Sequence, residues 1–274
     1  MQQGNVILTN EMVANSDSAY LVDKVFHDEI LVISFAFVSW DGKPKFDFFG
    51  RLKKLEYRYP RPVNRILVRD NQNAWYHRGI PGLGNDVDEV AESLKDLVRW
   101  VRPSRVITIG QSMGGYGSLM YGGLIGADKA IGFGPLSFIN VQQALLYHDR
   151  RWLTVMEDLE TSPPPVQYFD LPTLYREQGA ETQLDIFFGT RPDGAAGESV
   201  NLDAMHANRF SGTPSCRLFP FPESGHAIVK YLIDQKLIND LLFRHITSDD
   251  APQPKRRTVS SAPGSSTGSM AGRP

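Results

Sequence analysis

The sequence predicts an α/β fold, with a mostly parallel central sheet covered by helices on both faces. Two observations carry the prediction. Short runs rich in β-branched and aromatic residues recur along the chain, and strands buried on both faces read as such continuous apolar runs. Between them lie segments whose apolar residues step by threes and fours, the signature of helices that bury one stripe. With 274 residues, 41% hydrophobic and 22% charged, the chain is long enough to close a substantial core.

The elements follow in order. "EILVISFAF" (29–37) reads as a buried strand, and "NRILVRD" (64–70) as the second. "NDVDEVAESLKDLVRWV" places Val87, Val90, Leu94, Leu97, Val98 and Val101 on one helical face, with Asn85 or Asp86 as its cap. "RVITIG" (105–110) is the third strand, and "GYGSLMYGGLIG" reads as a helix despite its glycines. "KAIGFGP" (129–135), "QLDIFFG" (183–189) and "SCRLFPF" (215–221) supply three further strands. The segment "AIVKYLIDQKLINDLLF" carries Val229, Leu232, Ile233, Leu237, Leu241 and Leu242 on a single helical stripe.

Two stretches break this rhythm. Residues 136–182, with "SPPP" at 162–165 and Trp152, are expected to form an excursion or lid over one end of the sheet. From Ser248 the composition turns to Ser, Pro and Gly with few large apolar residues, which cannot offset the entropy of ordering. The expectation is a folded domain over 1–247 and a disordered tail over 248–274. Lys255, Arg256 and Arg257 within that tail read as solvated charge or as a docking or modification site.

Several classes are disfavoured. A net charge of −2 gives no electrostatic case for nucleic acid or acidic lipid. The single cysteine, Cys216, excludes an internal disulfide framework and a cysteine-rich metal site. The N-terminal stretch lacks the basic start, apolar core and cleavage site of a secretory signal, and the apolar run 30–38 is too short to span a bilayer. A cytoplasmic protein is the expectation. Oligomeric state is not legible.

The chemistry concentrates at "RVITIGQSMGGYG" (105–117). Gly110-Gln111-Ser112-Met113-Gly114 fits G-x-S-x-G, in which a serine sits on a tight strand-to-helix turn above the sheet edge. The pattern alone is weak, but here a strand precedes it and a helix follows. At the start of that helix, free N–H groups and the dipole favour an oxyanion, so the Met113 N–H is one candidate donor and Phe37 or Val38 the source of another. The plainer alternative is a glycine-rich packing turn. Neither a P-loop nor a G-x-G-x-x-G pattern stands at this turn, which demotes nucleotide binding.

A serine nucleophile needs a base, usually a histidine oriented by a carboxylate. Of six histidines only His226 directly follows the last strand, in "FPESGHAIV". The acid should lie after the 183–189 strand. Asp203 precedes a helical run and could be no more than a cap; Asp193 lies in an Asp-Gly turn pair. Asp203 is favoured slightly. Trp40, Trp75, Tyr76 and His77 sit in loops expected at the same edge, where they could line an acyl or sugar pocket or pack on the lid.

These residues resemble the α/β-hydrolase superfamily: "RVITIGQSMGGYGSL", the later acidic loop and "ESGHAIV" occur in its order across roughly residues 28–245. More narrowly, "LMYGGLIGADKAIGFGPLSFI" and "LDAMHANRF" resemble bacterial hydrolase-like proteins of unassigned substrate. The resemblance implies an eight-stranded, mostly parallel sheet and Ser112–Asp–His226 chemistry on a small acyl substrate without a cofactor or metal. One feature departs from it, because "FAFVSWDG" lacks the His-Gly pair that many esterases carry after the first strong strand. The expected function is hydrolysis of an ester or thioester through an acyl-serine. The alternatives are a catalytically silent binding or assembly module and an acyltransferase using the same triad.

Overall fold

The computed structural model describes residues 7–23, 26–59, 61–161, 168–178, 181–192, 201–213 and 215–248. Among them seven strands form one sheet in the order β1-β3-β2-β4-β5-β6-β7. These are β1 (Tyr20–Asp23), β2 (Ile30–Phe35), β3 (Val63–Val68), β4 (Arg105–Gln111), β5 (Lys129–Phe133), β6 (Gln183–Gly189) and β7 (Cys216–Phe221). Every neighbouring pair is parallel except β1 with β3. The sheet thus has seven described strands, where the family resemblance implied eight.

Period-two alternation feeds two cores, one on each face. In β2, Leu31, Ile33 and Phe35 face one core and Ile30 and Val32 the other. On the first face lie α3 (Val87–Val101) and α4 (Met113–Ile125); the second is closed by α2 (Phe49–Leu55), α9 (Ile228–Asp234) and α10 (Ile238–Thr247). A short helix, α1 (Asn10–Asn15), lies ahead of β1. In the α3 stripe Val87, Val90, Leu94 and Val101 are buried and Leu97 and Val98 half-buried, and Asp86 caps the helix by accepting the Glu89 N–H at 2.8 Å.

The single stripe expected near the C-terminus is two helices. The chain breaks after α9, where Lys236 takes φ 60°, and Ile233 and Leu237 are 37% and 44% exposed. The hydrophobic period survives the break because α10 resumes with Ile238, Leu241 and Leu242 buried. Residues 136–161 and 168–178 contain α5 (Val141–Leu146), α6 (Leu153–Thr161) and α7 (Leu171–Gln178). Among the described residues no helix is long and apolar enough to cross a membrane.

Candidate active site

β4 runs straight into the serine. Ser112 has φ 50° and ψ −120°, a left-handed conformation that a non-glycine residue rarely holds, and α4 begins at the next residue. Surrounding hydrogen bonds fix the turn: the Ser112 N–H donates to the Phe133 carbonyl at 2.8 Å, and its own carbonyl accepts from Tyr116 at 3.0 Å. The flanking glycines are steric necessities. A Cβ on Gly110 would overlap the Gly114 backbone, and one on Gly114 would overlap the Phe35 and Ala36 carbonyls. The chain leaving β2 therefore passes directly against the turn.

Two loops from other strands converge on this serine. His226, in the loop after β7, places Nε2 3.1 Å from Ser112 Oγ and Nδ1 2.8 Å from Asp203 Oδ2. Asp203 lies in the first turn of α8 (Leu202–Asn208), whose cap is Asn201, and it is 2% exposed. Burial alone would raise the Asp203 carboxyl. The hydrogen bond from His226 and the charge of Arg151 together hold it below the usual carboxylate range. An ionised Asp203 can only accept, so His226 carries its proton on Nδ1 and turns the Nε2 lone pair to the serine hydroxyl. Gly134, at φ 53°, lies against this pair: a Cβ there would come 3.2 Å from Asp203 Oδ2. Asp193 lies outside the described residues.

The remaining expected residues divide. Met113 opens α4, so its N–H has no intrahelical acceptor. Phe37 is 38% exposed and Val38 half-buried, just past the Phe35–Ala36 carbonyls that touch the turn. Trp40 is 61% exposed and stacks on Trp152 with ring centres 6.0 Å apart. Trp75 and Tyr76, expected to line the same pocket, are fully buried and face core neighbours. Trp75 packs against Trp152 at 5.0 Å, and the Tyr76 hydroxyl donates to the Ala36 carbonyl at 2.7 Å. They support the loops. An open cleft of about 460 Å³ lies beside His226, lined among others by Arg191, Glu223, Lys230 and Asp234.

Sequence reasoning missed a set of polar residues behind Asp203. Arg151 Nη1 donates to Asp203 Oδ1 at 2.9 Å, while its Nε and Nη2 donate to Asp149 at 3.0 and 2.8 Å. His206 Nε2 lies 2.8 Å from Asp149 Oδ2, and its Nδ1 accepts the Ser137 N–H at 3.0 Å. Arg209 reaches Ser137 Oγ at 2.9 Å and Asp170 at 2.6 Å. Despite burial, hydrogen bonds from His206 and Arg151 hold Asp149 far below its ordinary value, and burial lowers His206. The three-residue spacing of Asp203, His206 and Arg209 in "LDAMHANRF" was the one available signal.

No protein-family model matches this sequence, and no curated protein matches it. Solved structures do match in shape. A capsule O-acetyltransferase of Neisseria meningitidis serogroup A in complex with CoA has a TM-score of 0.52 at 14% identity, over 80% of this chain and 90% of that one. The S-formylglutathione hydrolase of Staphylococcus aureus gives 0.50 at 16% identity, covering 86% and 90%. A propionate-bound esterase from Thermogutta terrifontis gives 0.50 at 15% identity, covering 88% and 94%. The chain has the α/β-hydrolase fold.

Proposed function

We propose that the chain is a serine hydrolase that cleaves an ester or thioester through an acyl-Ser112 intermediate, with His226 as base and Asp203 as its orienting acid. One observation carries the reading: a serine held at φ 50° between strand and helix lies 3.1 Å from a histidine that a buried carboxylate engages from behind. In the first step Ser112 Oγ bonds to the acyl carbon as its proton moves to His226 Nε2. The tetrahedral oxyanion is received by the Met113 N–H and by an N–H of the Phe37–Val38 stretch, each worth about 3–4 kcal/mol. The imidazolium then protonates the leaving oxygen or sulfur, and the C–O or C–S bond breaks. Water repeats the sequence on the acyl-serine and frees the acid. No cofactor takes part in these steps. Trp40, backed by Trp152, forms a wall for the substrate.

The test is labelling with a fluorophosphonate serine probe. Stoichiometric labelling of the intact protein that vanishes in Ser112→Ala and His226→Ala is the expected result. A well-folded protein that takes no label overturns the reading in favour of a binding module. A second reading, acyl transfer to an acceptor other than water, draws on one observation: the fold is shared with an O-acetyltransferase crystallised with CoA. Product analysis separates the two. Release of free acid in the presence of alcohol acceptors favours hydrolysis, and esterified acceptor favours transfer.

A further inference from the structure

We infer that Arg151 is a positioning residue for this nucleophile, holding the Asp203 carboxylate so that its other oxygen meets His226, and tying that orientation to the seating of the stretch between β5 and α6. The inference rests on the Ser112–His226–Asp203 reading.

A carboxylate at the end of a short side chain turns about a broad, two-fold torsion, and one hydrogen bond leaves that rotation soft. Here both oxygens are engaged from different directions, Oδ2 by His226 and Oδ1 by Arg151. Arg151 is held in turn. Its planar fork bridges two carboxylates, two donors on Asp149 and one on Asp203, a geometry a point charge cannot copy. Asp149 accepts from His206 Nε2, and the Ser137 N–H occupies His206 Nδ1, so His206 is the neutral Nε2–H tautomer.

The contacts close on themselves. Asp203 and His206 are one turn apart on α8, and the path Asp203–Arg151–Asp149–His206 returns to the helix it left. Asp149, His206 and Asp203 are all 2% exposed or less. Trp152, next along the chain, is clamped between Trp40 and Trp75. The acid of the site is therefore aimed from outside its own loop, by a segment that also meets the exposed Trp40.

Arg151 has an electrostatic consequence as well as a geometric one. It is the cation of the ring, between two buried carboxylates. Without it the Asp203–His226 pair sits beside uncompensated negative charge and takes up a proton more readily. Among the described residues, the other charged groups along the open cleft at His226 are Arg191, Glu223, Lys230 and Asp234, and substitution at Arg151 leaves them in place.

The experiment compares full-length wild type, Arg151→Gln and Arg151→Lys in two readouts. One is fluorophosphonate labelling rate from pH 5 to 9; the other is NMR titration of the His226 ring, assigned with His226→Asn. Arg151→Gln should label at least about tenfold more slowly. With the neighbouring cation gone, its acid limb and ring titration should both move to higher pH than in wild type. Arg151→Lys should label slowly yet titrate as wild type, because charge is kept and the fork is lost. Wild-type titration and labelling in Arg151→Gln overturns the inference. Should that variant fail to fold, wild-type labelling in Arg151→Lys overturns it instead. Absence of labelling in wild type sinks the hydrolase reading, while the ring titration still reports on Arg151.

Discussion

Asp203 divides its oxygens between His226 and Arg151, so exchanging one of them for an amide disturbs both partners. Asp203→Asn should slow fluorophosphonate labelling by about three to four orders of magnitude, since the amide stabilises the wrong imidazole tautomer. Asp193→Asn should label as wild type; the opposite pair of results would make Asp193 the acid. Gly134→Ala adds a methyl 3.2 Å from Asp203 Oδ2 at a backbone angle of φ 53°, and should cost at least about tenfold in labelling rate. Ser112 and His226 were legible because each directly follows an apolar strand, where chain order alone locates it. Asp203 was half legible, because its helix-capping pattern and its meeting with His226 look alike in one dimension. Arg151 was not legible. Its partner Asp203 lies 52 residues away, and its local pairing with Asp149, two residues back, says nothing of that distant contact.

Among the elements, the loop after β3 carries the most backbone strain. Asn73, Trp75 and Tyr76 all take positive φ, and the buried Asp70 carboxylate restrains them by accepting the N–H groups of Gln72, Ala74 and Tyr76. Asp70→Ala removes three hydrogen bonds from this turn and should destabilise the protein by about 3 kcal/mol or more, measured by chemical denaturation. The loop supports Trp152 through Trp75, and Trp152 supports Trp40. Trp40→Ala should then raise KM several-fold on an ester substrate and leave kcat nearly unchanged, as removal of uniform binding does. β2 and β6 were readable because burial on both faces makes them largely apolar runs. β1 was missed: it is four residues long, mostly half-buried, and shows neither a run nor a clean alternation. The break between α9 and α10 was hidden because the hydrophobic stripe runs on through it.

At the scale of the whole molecule, two cores share one sheet, and buried ions set its response to acid. Asp149, Asp170, Asp185 and Asp203 are each held below the ordinary carboxylate range by partners that outweigh burial. Their contribution is complete above about pH 4 and is lost as pH falls further. His77, lowered by burial to about 3, and His206, also lowered, begin to oppose folding below about pH 6.5. Burial raises Asp47 to about 6, so it acts in the opposite sense between about pH 4 and 6, and burial raises Asp70 in the same direction. Denaturation midpoints should therefore change little down to about pH 4 and fall steeply beneath it. Asp185 also anchors the last turn of α10. Arg217 and His245 hold Asp185, Lys129 bonds the His245 carbonyl, and Arg105 bonds that of Ser248, all near the strand starts. Ser112, Asp203 and His226 follow the opposite ends of β4, β6 and β7. A bead, sensor chip or fusion partner fixed directly at Ser248 would thus hold the molecule by its floor, with the serine facing away into the medium.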